Sequence, residues 1–256
     1  MLFLATDRGA MQPIPQPIAA GFIVLSLLMA AALVAGVHRA AGARKAAIAA
    51  AVIAAWLGFS AVLAIRGVLL DFTSLPPRLA VVVLPPLLLA LAVGFGGVAD
   101  GLLRRLPPRW PVAAQVFRVA VEILLARLAA AGLIAEMMTF RGANLDIVTG
   151  ITAPLVAWAA FRGGRVRSGL VAAWNVMGLA LVGNVVVRGL LSAPTPFRQI
   201  VTDPPNTIVA RFPVVWLPAF LVATALLLHA ASLRQLVLAR RGTGAVEPSR
   251  DPATHL

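Results

Sequence analysis

Residues 17–38 read PIAAGFIVLSLLMAAALVAGVH, a run of twenty-two positions without one Asp, Glu, Lys or Arg. An α-helix needs about 20 mostly apolar residues to cross the hydrocarbon of a bilayer. The run is longer than the usual 7–15 residues of a secretory signal core. Its positive charges, Arg39, Arg44 and Lys45, also follow it instead of preceding it. The stretch therefore reads as a membrane anchor inserted with its N-terminus outward.

Six more runs of this kind follow, at Ala46–Leu70, Arg78–Gly97, Val112–Ala135, Asn144–Phe161, Ser168–Leu191 and Phe212–Leu233. The fourth is interrupted by Arg118, Glu122 and Arg127. Across its 256 residues the chain is 61% hydrophobic and 12% charged, with a mean hydropathy of +0.94. Soluble domains carry about 25% charge, so lipid must solvate much of this surface. The expectation is an all-α integral membrane protein, a bundle of about seven transmembrane helices. No repeat or soluble domain is visible. Residues 1–240 form a single polytopic domain, and 241–256 a short disordered cytoplasmic tail.

Orientation follows from the basic residues, which favour cytoplasmic loops. Alternate connections and the C-terminal tail carry 13 of the 22, including Arg39, Arg44, Lys45, Arg104, Arg105, Arg109, Arg162, Arg165 and Arg167. The opposite side has 7, and Arg118 and Arg127 lie within the fourth run. Acidic residues lean the other way, with Asp7, Asp71, Glu136, Asp146 and Asp203 on the sparse side. The N-terminus is thus expected outside and the C-terminus in the cytoplasm, with anionic lipids attracted to the cytoplasmic face. A net charge of +13 would suggest nucleic acid in a soluble protein. Here loop charge accounts for it, and no nucleic-acid partner is expected. Lys45 is the sole lysine, a bias expected of a GC-rich bacterial genome. A bacterial cytoplasmic membrane is the expected location.

Several functions are excluded. The chain has no cysteine, which removes thiol nucleophiles, iron–sulfur clusters and Cys-ligated zinc. A retinal Schiff base needs an intramembrane lysine, whereas Lys45 falls in a loop. His38 and His229 lie close to helix ends and make a poor haem pair. The glycine-rich stretch Gly94–Gly101 follows no strand and is no phosphate loop. No cofactor and no metal site is expected.

Polar groups at membrane depth are costly and point to function unless they serve as interhelical glue. Two sets emerge. In the inner one, Gln115, Arg118 and Glu122 share one face of the fourth span, and Asn175 and His229 lie at similar depth. Arg118 and Glu122 are expected to pair along that face, either as an ion or proton site or as a packing lock. The outer set is a candidate ligand pocket of Arg66, Asp71, Glu136, Arg141, Asn144, Asp146, Thr149, Asn184, Arg188, Arg198, Asp203, Asn206 and Arg211. Asn144 is the expected N-cap of the fifth span. The proline-rich segment 192–207 is expected to cover the pocket. Pro85 and Pro86 fall within the third span, where they free backbone groups.

The first expectation for function is a transport-type or ligand-binding bundle with an outward-facing polar pocket. Two alternatives stand beside it. One is a non-catalytic partner or assembly subunit of a membrane complex. The other is a membrane-embedded enzyme with Glu122 or Asp146 as acid or base. The absence of cysteine makes the topology directly testable. Single cysteines replacing Arg141 or Arg198 should react with an impermeant reagent on intact cells, and those replacing Arg104 or Arg165 should not. Labelling at 104 or 165 would overturn the orientation.

Overall fold

The computed structural model describes residues 12–164 and 166–243, which are mostly helical and contain no strand. Helix α1 (Gln16–Ala41) turns through Gly42 into α2 (Ala43–Ile65). Gly42 has φ +84°, a conformation that glycine adopts without a Cβ penalty. There follow α3 (Ala80–Phe95), α4 (Asp100–Leu103), α5 (Arg109–Ala114), α6 (Phe117–Ala130), α7 (Ile147–Phe161) and α8 (Ser168–Ser192). A π-helical turn at Leu217–Leu221 leads into α9 (Val222–Thr243).

Among the described residues five helical segments have the length and hydropathy to cross a membrane: Gln16–Ala41, Ala43–Ile65, Ile147–Gly164, Ser168–Ser192 and Leu217–Arg241. Large side chains such as Leu28, Val52, Leu155, Trp158 and Val176 are exposed on their outer faces. That arrangement suits lipid as the surrounding solvent. The third run is shorter than expected, a 16-residue helix that continues through Pro85 and Pro86. The fourth is divided. Around Gln115 the backbone tightens to i→i−3 hydrogen bonds, from Gln115 N–H to Val112 O (3.2 Å) and from Arg118 N–H to Gln115 O (3.1 Å). This separates α5 from α6.

The register of α1 on this divided segment locates the polar residues. Gly36 lies against Trp110 and Gly21 against Leu124. The two stretches therefore run antiparallel, and Arg118 falls opposite the midpoint of α1. After α6 ends at Ala130, the chain does not form a simple exposed connection. Leu133, Ile134, Met138, Thr139 and Asn144 are all buried, so residues 131–146 fold back into the bundle. The fifth span accordingly begins later than expected. Asn144 does not cap it; its Oδ1 accepts the Asp146 N–H at 3.0 Å, and the helix starts at Ile147.

Two tryptophans tie α2 to the π-helical turn. Trp56 Nε1 donates to the Ala219 carbonyl and Trp216 Nε1 to that of Leu57, both at 3.0 Å. At the opposite end α9 continues to Thr243, three residues into the expected tail. Residues 244–256, Arg8 and Arg165 lie outside the described residues.

Gly150 is the tightest point between α6 and α7. A Cβ there would stand 2.8 Å from the backbone nitrogen of Val119, which cannot move aside as a flexible side chain would. Gly150→Ala should therefore destabilise the protein by about 1–3 kcal/mol, read as a lower unfolding midpoint in mild detergent. Gly58→Ala, where the added methyl meets open space, should unfold like the parent.

Candidate functional site: a buried charge network at mid-depth

The centre of the bundle holds four buried ionisable side chains: Arg118 and Glu122 from α6, Asp146 at the start of α7, and His229 from α9. Arg118 Nε donates to Asp146 Oδ2 at 2.7 Å, and its Nη2 meets the other carboxylate oxygen. This is the bidentate geometry that makes an arginine–carboxylate pair strong and directional. Arg118 Nη1 is 3.0 Å from His229 Nε2. On the far side of the ring, His229 Nδ1 is 2.8 Å from Asn175 Oδ1. An amide oxygen only accepts, so Nδ1 carries the proton and Nε2 is free to accept from Arg118. Asn175 Nδ2 in turn donates to Val171 O at 2.8 Å and to Ser232 Oγ at 3.0 Å. The ring is held from its surroundings too. Trp174 stands 5.4 Å from it, centroid to centroid, with its own Nε1 bound to Thr152 Oγ1 at 2.9 Å. A Cβ on Gly178 would come within 2.3 Å of His229 Cε1.

One helical turn beyond Arg118, Glu122 Oε1 accepts from Asn144 Nδ2 at 2.6 Å. The Phe140 backbone N–H also faces this carboxyl group. Oε2 completes no hydrogen bond, and neither do the buried atoms Gln115 Oε1 and Thr149 Oγ1. Arg118 and Asp146 cancel one another in charge. One proton on Glu122 therefore sets the net charge of the cluster at zero or −1. Among the described residues no group of three or more His, Asp or Glu is placed to hold a metal ion.

The Arg118–Glu122 pairing expected from their spacing is corrected. The partner of Arg118 is Asp146, because the returning segment 131–146 delivers that carboxylate to the guanidinium while Asn144 engages Glu122. Two residues assigned to the outer set, Asn144 and Asp146, thus join Arg118, Glu122, Asn175 and His229 in one place. Gln115 is buried nearby and donates to Ala225 O at 2.9 Å.

Thr149 of the outer set is also buried here, next to Gly178 and His229, whereas the rest of that set does not converge with them. Asp71 pairs with Arg78 at 3.0 Å, and hydrogen bonds from Thr73 and Ser74 help hold its carboxyl below the usual range. Asn184 donates to Ala143 O and accepts from Arg188. Asn206 reaches Gly189 O and Ser192, and Arg198 folds onto Ile200 O and Thr202 O. Arg66, Glu136, Arg141 and Asp203 are exposed, and Arg211 is half-buried.

Sequence reasoning missed Ser232, a single hydroxyl with no pattern around it. It also missed the Arg234–Asp100 pair, 2.8 Å at both contacts. There the Arg234 hydrogen bonds hold the Asp100 carboxyl below its ordinary range, outweighing the cost of desolvation. Ser232 also lines a half-open cavity of about 490 Å³ with Ser168, Gln235 and Arg104.

A match to the model of one family spans residues 75–237, more than half of the chain. The chain belongs to the family described as Domain of unknown function (DUF8737). The matched stretch contains every residue of the buried network and leaves out α1 and α2. No curated protein and no solved structure matches the chain.

A double-mutant cycle tests the pairing. Asp146→Asn strands a buried guanidinium and should cost about 3–5 kcal/mol of stability, the penalty of breaking a buried pair from one side. Arg118→Gln combined with Asp146→Asn should cost clearly less than the sum of the two single changes. Additive losses would show that the pair contributes nothing.

Proposed function

We propose that this protein is a transport-type bundle of a bacterial cytoplasmic membrane, in which Glu122 takes up and releases a proton. It crosses the bilayer seven times with its N-terminus outside. The observation that carries the reading is the unpartnered Glu122 oxygen beside a balanced Arg118–Asp146 pair. A charged group at membrane depth is costly. A proton exchanged there changes the field at the centre of the bundle by a full unit, enough to favour one helix arrangement over another. The seven-crossing topology rests on the alternation of basic clusters, with α3 and the α5–α6 segment as the two short crossings. The cavity lined by Ser232 supports access from the basic end, since Ser232 connects through Asn175 and His229 to Arg118. Asn144 and Asp146 serve the site as its structural counterpart to Glu122, and the remaining outer residues order the loops around it.

The test needs no substrate. In proteoliposomes carrying an internal pH dye, an imposed membrane potential should drive proton entry through the parent protein and not through Glu122→Gln. Infrared spectra recorded across a pH step should show a carboxyl C=O band that is lost in the same variant. Asp203→Asn, an exposed change, should behave as the parent in both measurements. A folded Glu122→Gln variant with parental proton entry, or with the band intact, would sink the proposal.

A further inference from the structure

A second cavity, of about 430 Å³, lies between α1, α2, α3 and α9, closed at one end by the segment that follows α3. Its walls differ from those of the charge network. Apart from Thr224 and the indoles of Trp56 and Trp110, every lining side chain is hydrocarbon or, at Gly36, missing. The Trp56 N–H is already spent on the Ala219 carbonyl. A polar ligand would find almost no partner here. The back wall includes the buried residues Leu103, Leu228 and Val93, whereas Val52 of α2 and Leu89 of α3 are exposed. The mouth therefore faces sideways, between two helices that pack only weakly on one another.

The depth of the cavity narrows the occupant. Its α2 wall spans Ala49 to Trp56. At 1.5 Å rise per residue that is about 9–20 Å from the start of α2 at the basic end. This is the hydrocarbon of the leaflet on that side, where the material at the mouth is lipid chain. An open space of this size left unfilled forfeits the dispersion contacts of its whole lining. The charge at its rim narrows the occupant further. Leu103 and Leu106 line the cavity, and Arg105 between them is exposed. Arg39, Arg44 and Lys45 stand exposed at the neighbouring α1–α2 turn. None of these four makes an ion pair among the described residues, and Asp100, the acidic group nearest to Arg105 in sequence, is engaged by Arg234. Apolar walls below uncompensated guanidinium groups match a molecule with a hydrocarbon tail and a phosphate head.

We infer that this cavity holds one acyl chain of an anionic phospholipid from the leaflet at the basic end, its phosphate resting against Arg44 and Arg105. The site is separate from the charge network, and it stands whether or not Glu122 carries protons. Its position against α3 and α9 places the lipid chain beside the helix that bears His229, so occupancy braces α9 from the side opposite α8.

The experiment uses the full chain in phosphatidylcholine nanodiscs containing a small fraction of phosphatidylglycerol with a diazirine in one acyl chain. After irradiation, adducts are mapped by peptide mass spectrometry. Adducts are expected on the buried wall residues Leu103 and Leu228 as well as on exposed Leu155. Ala49→Trp fills the cavity and should remove the wall adducts while sparing Leu155. Val52→Trp at the mouth serves the same purpose if the first variant does not fold. Replacing Arg44 and Arg105 together by Gln should reduce wall labelling to the level given by a phosphatidylcholine probe of the same chain. Three outcomes would overturn the inference. Wall adducts absent from the parent would mean an empty cavity or one covered by another copy of the chain. Wall adducts that persist when the cavity is filled would mean entry elsewhere. Equal wall labelling of the parent by both lipids would mean that the arginines select no headgroup.

Discussion

The bidentate contact between Arg118 and Asp146 is the constraint on which the rest of this bundle depends. A guanidinium buried opposite the midpoint of α1 needs a counter-charge that is both close and fixed in direction. The only segment that brings one is the chain between α6 and α7, which must turn back into the bundle to do so. That return shortens α7, buries Thr139 and Asn144 and places Gly150 against the backbone of Val119. It also leaves Nη1 of Arg118 facing α9, where His229 accepts from it in the one tautomer that Asn175 permits. Four elements are thus aligned by one cation, each through a different atom or a neighbour of that atom.

Much of the fold was legible because its signal is local. An uncharged run such as 17–38 carries its own evidence for a helix, and α1, α2 and α8 appear where their runs lie, whereas α9 begins and ends ten residues later than its run. The inner residues were legible for a related reason. Gln115, Arg118 and Glu122 recur at helical spacing within apolar sequence, and all three are buried. What could not be read was the path of residues 131–146. Their mixture of Glu136, Arg141, Asn144 and Asp146 resembles an ordinary polar connection, and nothing in composition distinguishes a loop that stays at the surface from one that folds inward. Pairing failed for the same reason. Arg118 and Glu122 are neighbours by spacing, yet a bidentate partner from 28 residues away wins because its geometry is better. Ser232 and Trp174 could be assigned only after helix register was known.

The two cavities divide the basic end of the molecule by chemistry. One is walled by hydrocarbon and faces α2 and α3. The other includes Ser232, Gln235 and Arg104 and faces α8. Helix α9 separates them, with Leu228 and Ala231 turned to one side and Ser232 and Gln235 to the other. The same helix bears His229 and, nearer its end, the Arg234–Asp100 pair. A displacement of α9 would therefore be felt in the buried network, in both cavities and at the surface together.

The inward return of residues 131–146 also bears on how the chain enters a bilayer during synthesis. α6 emerges first with Arg118 uncompensated, and the 14 residues of Phe117–Ala130 make it a weak candidate for independent insertion. Asp146 is synthesised 28 residues later, immediately before α7. Entering together, the two helices present a neutral pair to the lipid instead of two separate ions. The hairpin from α5 to α7 carries this pair complete, whereas a chain that stops before Asp146 carries the arginine alone.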